Sequence, residues 1–148
     1  MRPITIIIVN LILALAYLLT ASVSAEEIEA NGIIVLSKNI QNKINKEDVK
    51  MIFLGKKTML DDGTKVIPII PSDIDPLLLK SFNQRILKKS NPQVKAYWAK
   101  RIFTGKGKPP DSKNIDEILR LMESTTNIIS FIPGNFFNED KFRLVISF

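Results

Sequence analysis

Hydrophobic positions along the chain fall into blocks of different period. The first block, residues 4–19, is almost continuously apolar and is broken only by Thr5, Asn10 and Tyr17. It follows Arg2 and closes on the small residues Ala21, Ser22, Val23, Ser24 and Ala25, before an acidic turn at Glu26 and Glu27. A charged start, an apolar centre and a small-residue end form the layout of a secretory signal peptide, with the cut predicted after Ala25. The competing reading is an uncleaved anchor. The run lies near the lower limit of about 17 residues for a membrane span, and Asn10 interrupts its middle.

Beyond residue 25 the pattern alternates between short β-branched runs and stretches of helical period. Ile33, Ile34, Val35 and Leu36 predict a buried strand. Asn45 is a good N-cap, acids follow it, and Val49, Ile52 and Phe53 recur at helical spacing up to Gly55, so a short helix is predicted there. Asp61, Asp62 and Gly63 mark a turn. Residues 65–70 predict a second strand, and Pro68 places it near an edge or leaves it paired on one side at that point. Asp75 followed by Pro76 opens a helix predicted to run to about Lys89. Ser90, Asn91 and Pro92 open another, with Val94, Tyr97, Trp98 and Ile102 as its apolar face. Residues 114–123 predict a helix on Ile115, Ile118, Leu119 and Met122. Residues 127–132 and 142–148 predict a third and a fourth strand, the last alternating on Phe142, Leu144, Ile146 and Phe148. The order β-α-β-α-α-α-β-β implies an α/β layered domain with a small, partly parallel sheet.

Composition narrows the chemistry. The cut would leave residues 26–148 as one domain of ordinary size, with a net charge of about +5 against +6 for the whole sequence. There is no cysteine, so packing alone must hold the domain, and lipid attachment at a cysteine is excluded. Histidine is also absent, which counts against zinc, copper and haem sites and against the usual Ser-His-Asp and Cys-His nucleophiles. The acids Asp61 and Asp62, and Asp73 with Asp75, are candidates for calcium or acid–base work, but Asp61 and Asp62 read as turn chemistry, Asp75 as a cap, and the calcium-loop pattern is absent. The expectation is a protein without catalytic residues, metal or cofactor.

Val49 to Lys56, with Ile52-Phe53-Leu54-Gly55-Lys56 at its end, followed by Asp62-Gly63 and Ile67-Pro68-Ile69, resembles the second lobe of phosphate-type periplasmic substrate-binding proteins. Ser81-Phe82-Asn83-Gln84-Arg85, Tyr97-Trp98-Ala99-Lys100 and the basic Gly/Pro loop of residues 104–110 are similar to a subset of short, exported, single-lobe members. The resemblance covers about residues 32–132. It implies a single periplasmic-binding-protein-like lobe, α/β with a small mixed sheet flanked by helices. It also implies a periplasmic location and a small oxyanion such as phosphate as ligand.

In that family the phosphate loop joins the second strand to the next helix and reads Arg-x-x-Gly-Ser-Gly-Thr. Here the matching stretch runs from Pro71 through Ser72, Asp73, Ile74 and Asp75 to Pro76. It has no arginine and no glycine, and Pro76 removes an amide donor. Asp75 as N-cap would set its own carboxylate on the orphan amides, leaving Ser72 as the one ligand-like hydroxyl. In the loop 104–110, Thr104, Lys106 and Lys108 are candidate anion contacts, set against a solvated connection between helices. One lobe also lacks the closure that dries a two-lobe site. The expectation is therefore weak or lost phosphate binding. The alternative is a protein-interaction module of a cell-envelope complex or sensor system, with an envelope protein as partner. The lysine-rich surface serves solubility or meets an anionic surface such as lipid head groups; an exported location argues against nucleic acid.

Overall fold

The computed structural model describes residues 31–148. The predicted signal peptide and its cleavage site lie outside these residues. Nine regular elements and one short 3-10 turn follow in order. They are β1 (Gly32–Ser37), α1 (Lys46–Phe53), β2 (Ile67–Pro71), α2 (Pro76–Arg85), α3 (Asn91–Phe103), β3 (Asp111–Lys113), α4 (Ile115–Ser124), β4 (Ile128–Pro133) and β5 (Phe142–Ser147). The strands form one mixed sheet in the order β3-β2-β4-β1-β5. β2 runs parallel to both β3 and β4, while β1 runs antiparallel to β4 and β5.

β1 is buried at all six positions, which is why its sequence is a continuous apolar run. Ile34 and Leu36 enter one core with α1 and α2, and Ile33 and Val35 enter a second core with α4. The first core centres on four phenylalanines. Phe82 stacks on Phe131 with ring centroids 4.0 Å apart and meets Phe53 edge-on at 5.0 Å. Phe148 closes the cluster at 5.7 Å from Phe82. Rings this close contribute beyond their buried area, by about 0.5–1.5 kcal/mol per pair.

Local signals set the helix starts. Asn45 and Asp48 form a reciprocal capping box on α1, and Gly55 past its end takes the left-handed φ of 63°. Ser90 and Gln93 do the same at the start of α3. Asp75 caps α2, with Pro76 at its first position.

Three expectations change, and that for Pro68 resolves to its one-sided pairing. α2 stops at Arg85 rather than near Lys89: Phe82 O accepts from both Ile86 and Leu87, and Lys88 turns the chain with φ 57°. The sheet has a fifth strand, β3, whose Asp-Ser-Lys sequence carries no apolar signal. Pro68 lies in an interior strand but is paired on one side there. Ile67 N–H donates to Asn127 on the β4 side, so Pro68 faces the β3 side, where pairing begins only at Ile69. The even alternation of β5 is broken by a bulge: Ile34 pairs with Ile146 but Val35 pairs with Leu144, leaving Val145 as the extra residue. The bulge switches faces, so Phe142 packs with α4 while Ile146 and Phe148 pack with the phenylalanine core.

Candidate functional site

The β2–α2 junction is where the resemblance places an oxyanion. Ser72 is exposed just past β2, its amide donating to Lys113 O at 2.9 Å, and its hydroxyl has no partner among the described residues. Asp75 Oδ1 accepts from Leu77 N at 2.8 Å. Asp73 Oδ1 accepts from Ile115 N at 2.8 Å, at the first residue of α4. Asn114 Oδ1 accepts a further α4 amide, that of Glu117. Two helix N-termini thus converge here, and carboxylates of the chain itself already occupy amides of both. The partial positive charge of each N-terminus is offset by a fixed anion, and a second anion approaching would be repelled. Asp75 was legible as a cap; the Asp73 contact was not, because it spans 42 positions and depends on where the sheet brings α4.

The loop after α3 is organised by Arg101, which sequence reasoning passed over. Its Nη2 donates to Gly55 O at 3.2 Å and to Lys106 O at 2.5 Å. Its guanidinium lies 5.6 Å from the Tyr97 ring centroid and 5.7 Å from that of Trp98. A planar, delocalised cation can stack and donate together, which an ammonium does poorly. Tyr97 adds a hydrogen bond to Leu54 O at 2.6 Å, and Trp98 is buried, so both aromatics tie α3 to the end of α1.

The loop candidates are largely committed to the chain itself. Thr104 Oγ1 donates back to Lys100 O at 2.9 Å. The amides of Gly105 and Lys106 donate to Ile102 O and Arg101 O. Lys108 Nζ pairs with Asp111 Oδ1 at 2.8 Å, and that hydrogen bond, followed by the charge of Lys108, holds the Asp111 carboxyl below its ordinary pKa. The Lys106 ammonium alone has no partner among the described residues. Lys108 sits before β3 and Ser72 beyond the matching end of β2. The three-residue ladder between them, about 10 Å long, keeps them apart. The structure gathers Thr104, Lys106 and Lys108 in one loop and leaves Ser72 at the other end of the β2–β3 pair.

Two cavities flank α3. One of about 200 Å³ lies between Gly55, Lys57, Pro68, Trp98 and Asp111. The other, about 500 Å³, is an open apolar groove between α2 and α3, walled by Leu79, Leu87, Val94, Trp98 and Ile102. Ile102 is 57% exposed on its rim, not packed into the core as its spacing suggested. Among the described residues no group of three metal-ligating side chains converges, and no helix is long and apolar enough to cross a membrane.

The five-stranded mixed sheet with helices on both faces is a mixed α/β fold of periplasmic-binding-protein-like type. The chain superposes on the crystal structure of an ABC-type phosphate transport receptor from Vibrio cholerae with a TM-score of 0.54 and 11% identity. The match covers 78% of this chain and 45% of the receptor, so this chain spans less than half of the receptor's length. No known family profile and no curated protein matches the sequence.

Proposed function

We propose that this chain is an exported, periplasmic-binding-protein-like domain, related to short phosphate-type substrate-binding proteins, in which phosphate binding is weak or lost. It has no catalytic role. The observation that carries this reading is the pair of carboxylates, Asp73 and Asp75, seated on amides at the starts of α4 and α2. Where a receptor would offer bare N–H groups to an oxyanion, this chain supplies its own. On this reading the domain works as a single lobe, and an open half-site stays wet and loses the gain of closure. The residual anion contacts would be Ser72 at one end of the β2–β3 pair and Thr104, Lys106 and Lys108 at the other.

Calorimetric titration with phosphate tests the reading. Millimolar or absent binding is expected. Micromolar binding that disappears in Ser72→Ala would refute it. Removal of residues 1–25 is checked by mass spectrometry of the protein accumulated outside the cytoplasm, where an N-terminus at Glu26 is expected.

A second reading, a protein-interaction module of an envelope complex or sensor system, is favoured by β5. This strand lies at the sheet edge with Leu144 45% exposed. A photocrosslinker at position 144 should then capture one envelope protein in intact cells, and failure to capture any would count against the module.

A further inference from the structure

The basic charge of this domain is segregated. From residue 76 to residue 110, which spans α2, α3 and the loop after it, the chain carries nine lysines and arginines and no aspartate or glutamate. The rest of the described residues are nearly balanced, with eleven basic and twelve acidic side chains. Lysines spread for solubility alone would not collect on one helical hairpin.

The same hairpin exposes apolar surface. α3 has thirteen residues, of which Trp98 alone is buried. Its inner face, Val94, Tyr97, Trp98 and Arg101, is used against α1 and α2. Its outer face carries a second apolar stripe, Ala96, Ala99 and Phe103 at i, i+3 and i+7, with Ile102 beside it. Phe103 is 93% exposed and Ile102 57%. At 100° per residue, Lys95 borders this stripe on one side and Lys100 on the other. The loop that follows adds Lys106 and Lys108. Arg101 holds the Lys106 backbone in place, so the tip is fixed rather than free to fold Phe103 inward. The apolar groove opens alongside, with Ile102 on its rim.

We infer that the outer face of α3 docks on an anionic phospholipid bilayer, with Phe103 and Ile102 inserted at the acyl boundary and Lys95, Lys100 and Lys106 on head-group phosphates. An apolar stripe flanked by lysines is the arrangement that lies in the membrane interface: the rings and branched chains leave water, and the ammonium groups reach outward to the phosphates. An acidic protein would satisfy the lysines but gives no reason for a fully exposed phenylalanine between them. The surface holds the domain at a membrane without spanning it.

The test is flotation with vesicles of phosphatidylglycerol and phosphatidylcholine, against vesicles of phosphatidylcholine alone. The protein is taken in the form that the cell accumulates, so that every variant has the same N-terminus. Binding to the anionic vesicles is expected to exceed binding to neutral ones by at least about tenfold and to weaken with salt. Ile102→Ser with Phe103→Ser should lower it by about tenfold or more, and Lys100→Gln and Lys106→Gln by about fivefold each. Lys141→Gln, which removes a lysine outside the hairpin, should leave it unchanged. Phe103→Trp supplies a readout that needs no loss of function, because the emission of the introduced indole should shift to the blue with anionic vesicles only. Equal binding to neutral vesicles overturns the inference. So does binding that needs the lysines but not Ile102 and Phe103, which would mark an acidic protein or polymer as the partner. An emission from the Phe103→Trp variant that does not move overturns it as well.

Discussion

Gly32→Ala, at the start of β1, should destabilise the domain through one contact. A Cβ built at Gly32 would lie 2.3 Å from Phe148 Cζ and 2.6 Å from Leu78 Cδ1. The Phe148 ring has little room to move. It is 8% exposed, is held edge-on to Phe82 and Phe131, and its backbone exchanges two hydrogen bonds with Gly32, at 2.8 and 3.2 Å. Overpacking of this kind costs about 1–3 kcal/mol. Phe148→Ala alone removes a ring from the phenylalanine core and should cost about 3 kcal/mol, the low end for such a change because the ring is not fully enclosed. The two costs should not add. With the ring gone, the methyl added at position 32 and the end of Leu78 occupy vacated space, so the double variant should be about 1–2 kcal/mol more stable than the sum of the single changes predicts. Equilibrium urea unfolding measures this, followed by the emission of Trp98, the sole tryptophan, and in parallel by far-UV circular dichroism. Strict additivity, or a Gly32→Ala variant within about 0.5 kcal/mol of the parent, would refute the argument.

Three further outcomes are expected. Arg101→Met keeps the stem over Tyr97 and Trp98 but strips the donors from Gly55 O and Lys106 O, so a loss of about 1.5–3 kcal/mol and faster proteolysis in the loop 104–110 should follow; Arg101→Lys should rescue little of it. Ser37→Ala leaves Thr125 O and the amide of Ile128 without the buried hydroxyl that joins them, at 2.7 and 3.2 Å, and should cost about 1–3 kcal/mol in urea unfolding. Asp48 has its pKa lowered, first by the hydrogen bond from Lys57 and then by that from the Asn45 amide. Its folded value lies below its unfolded one, so its contribution is complete above the ordinary carboxylate pKa of about 4 and is lost as pH falls from there through the folded value. Thermal unfolding of Asp48→Asn should accordingly show a flatter acid limb below about pH 5 than the parent, and an unchanged slope would contradict the pairing.

Much of the fold was legible in the sequence because local chemistry decided it. Asn45 with Asp48, Asp75 with Pro76, and Ser90 with Gln93 fix helix starts through bonds that span two or three residues. The apolar run of β1 announces a strand buried on both faces, and the bare Pro68 announces a one-sided ladder. The absence of cysteine and histidine limits the chemistry whatever the fold. What stayed hidden depends on partners far along the chain. β3 is polar and exists because its backbone completes the edge of β2. The bulge at Val145 responds to β1 and sends Phe148 into the opposite core from Phe142. Residues 95–103 read as half of an ordinary amphipathic helix, since periodicity locates an apolar face but not a second one left in water; packing of Tyr97, Trp98 and Arg101 against the end of α1 is what turns Ile102 and Phe103 outward. The candidate site divides in the same way. Sequence alone could place Asp75 on its helix start, because an N-cap is a local bond. Only the tertiary structure could seat Asp73 on α4, because that carboxylate meets its amide through a sheet that brings residues 42 positions apart together.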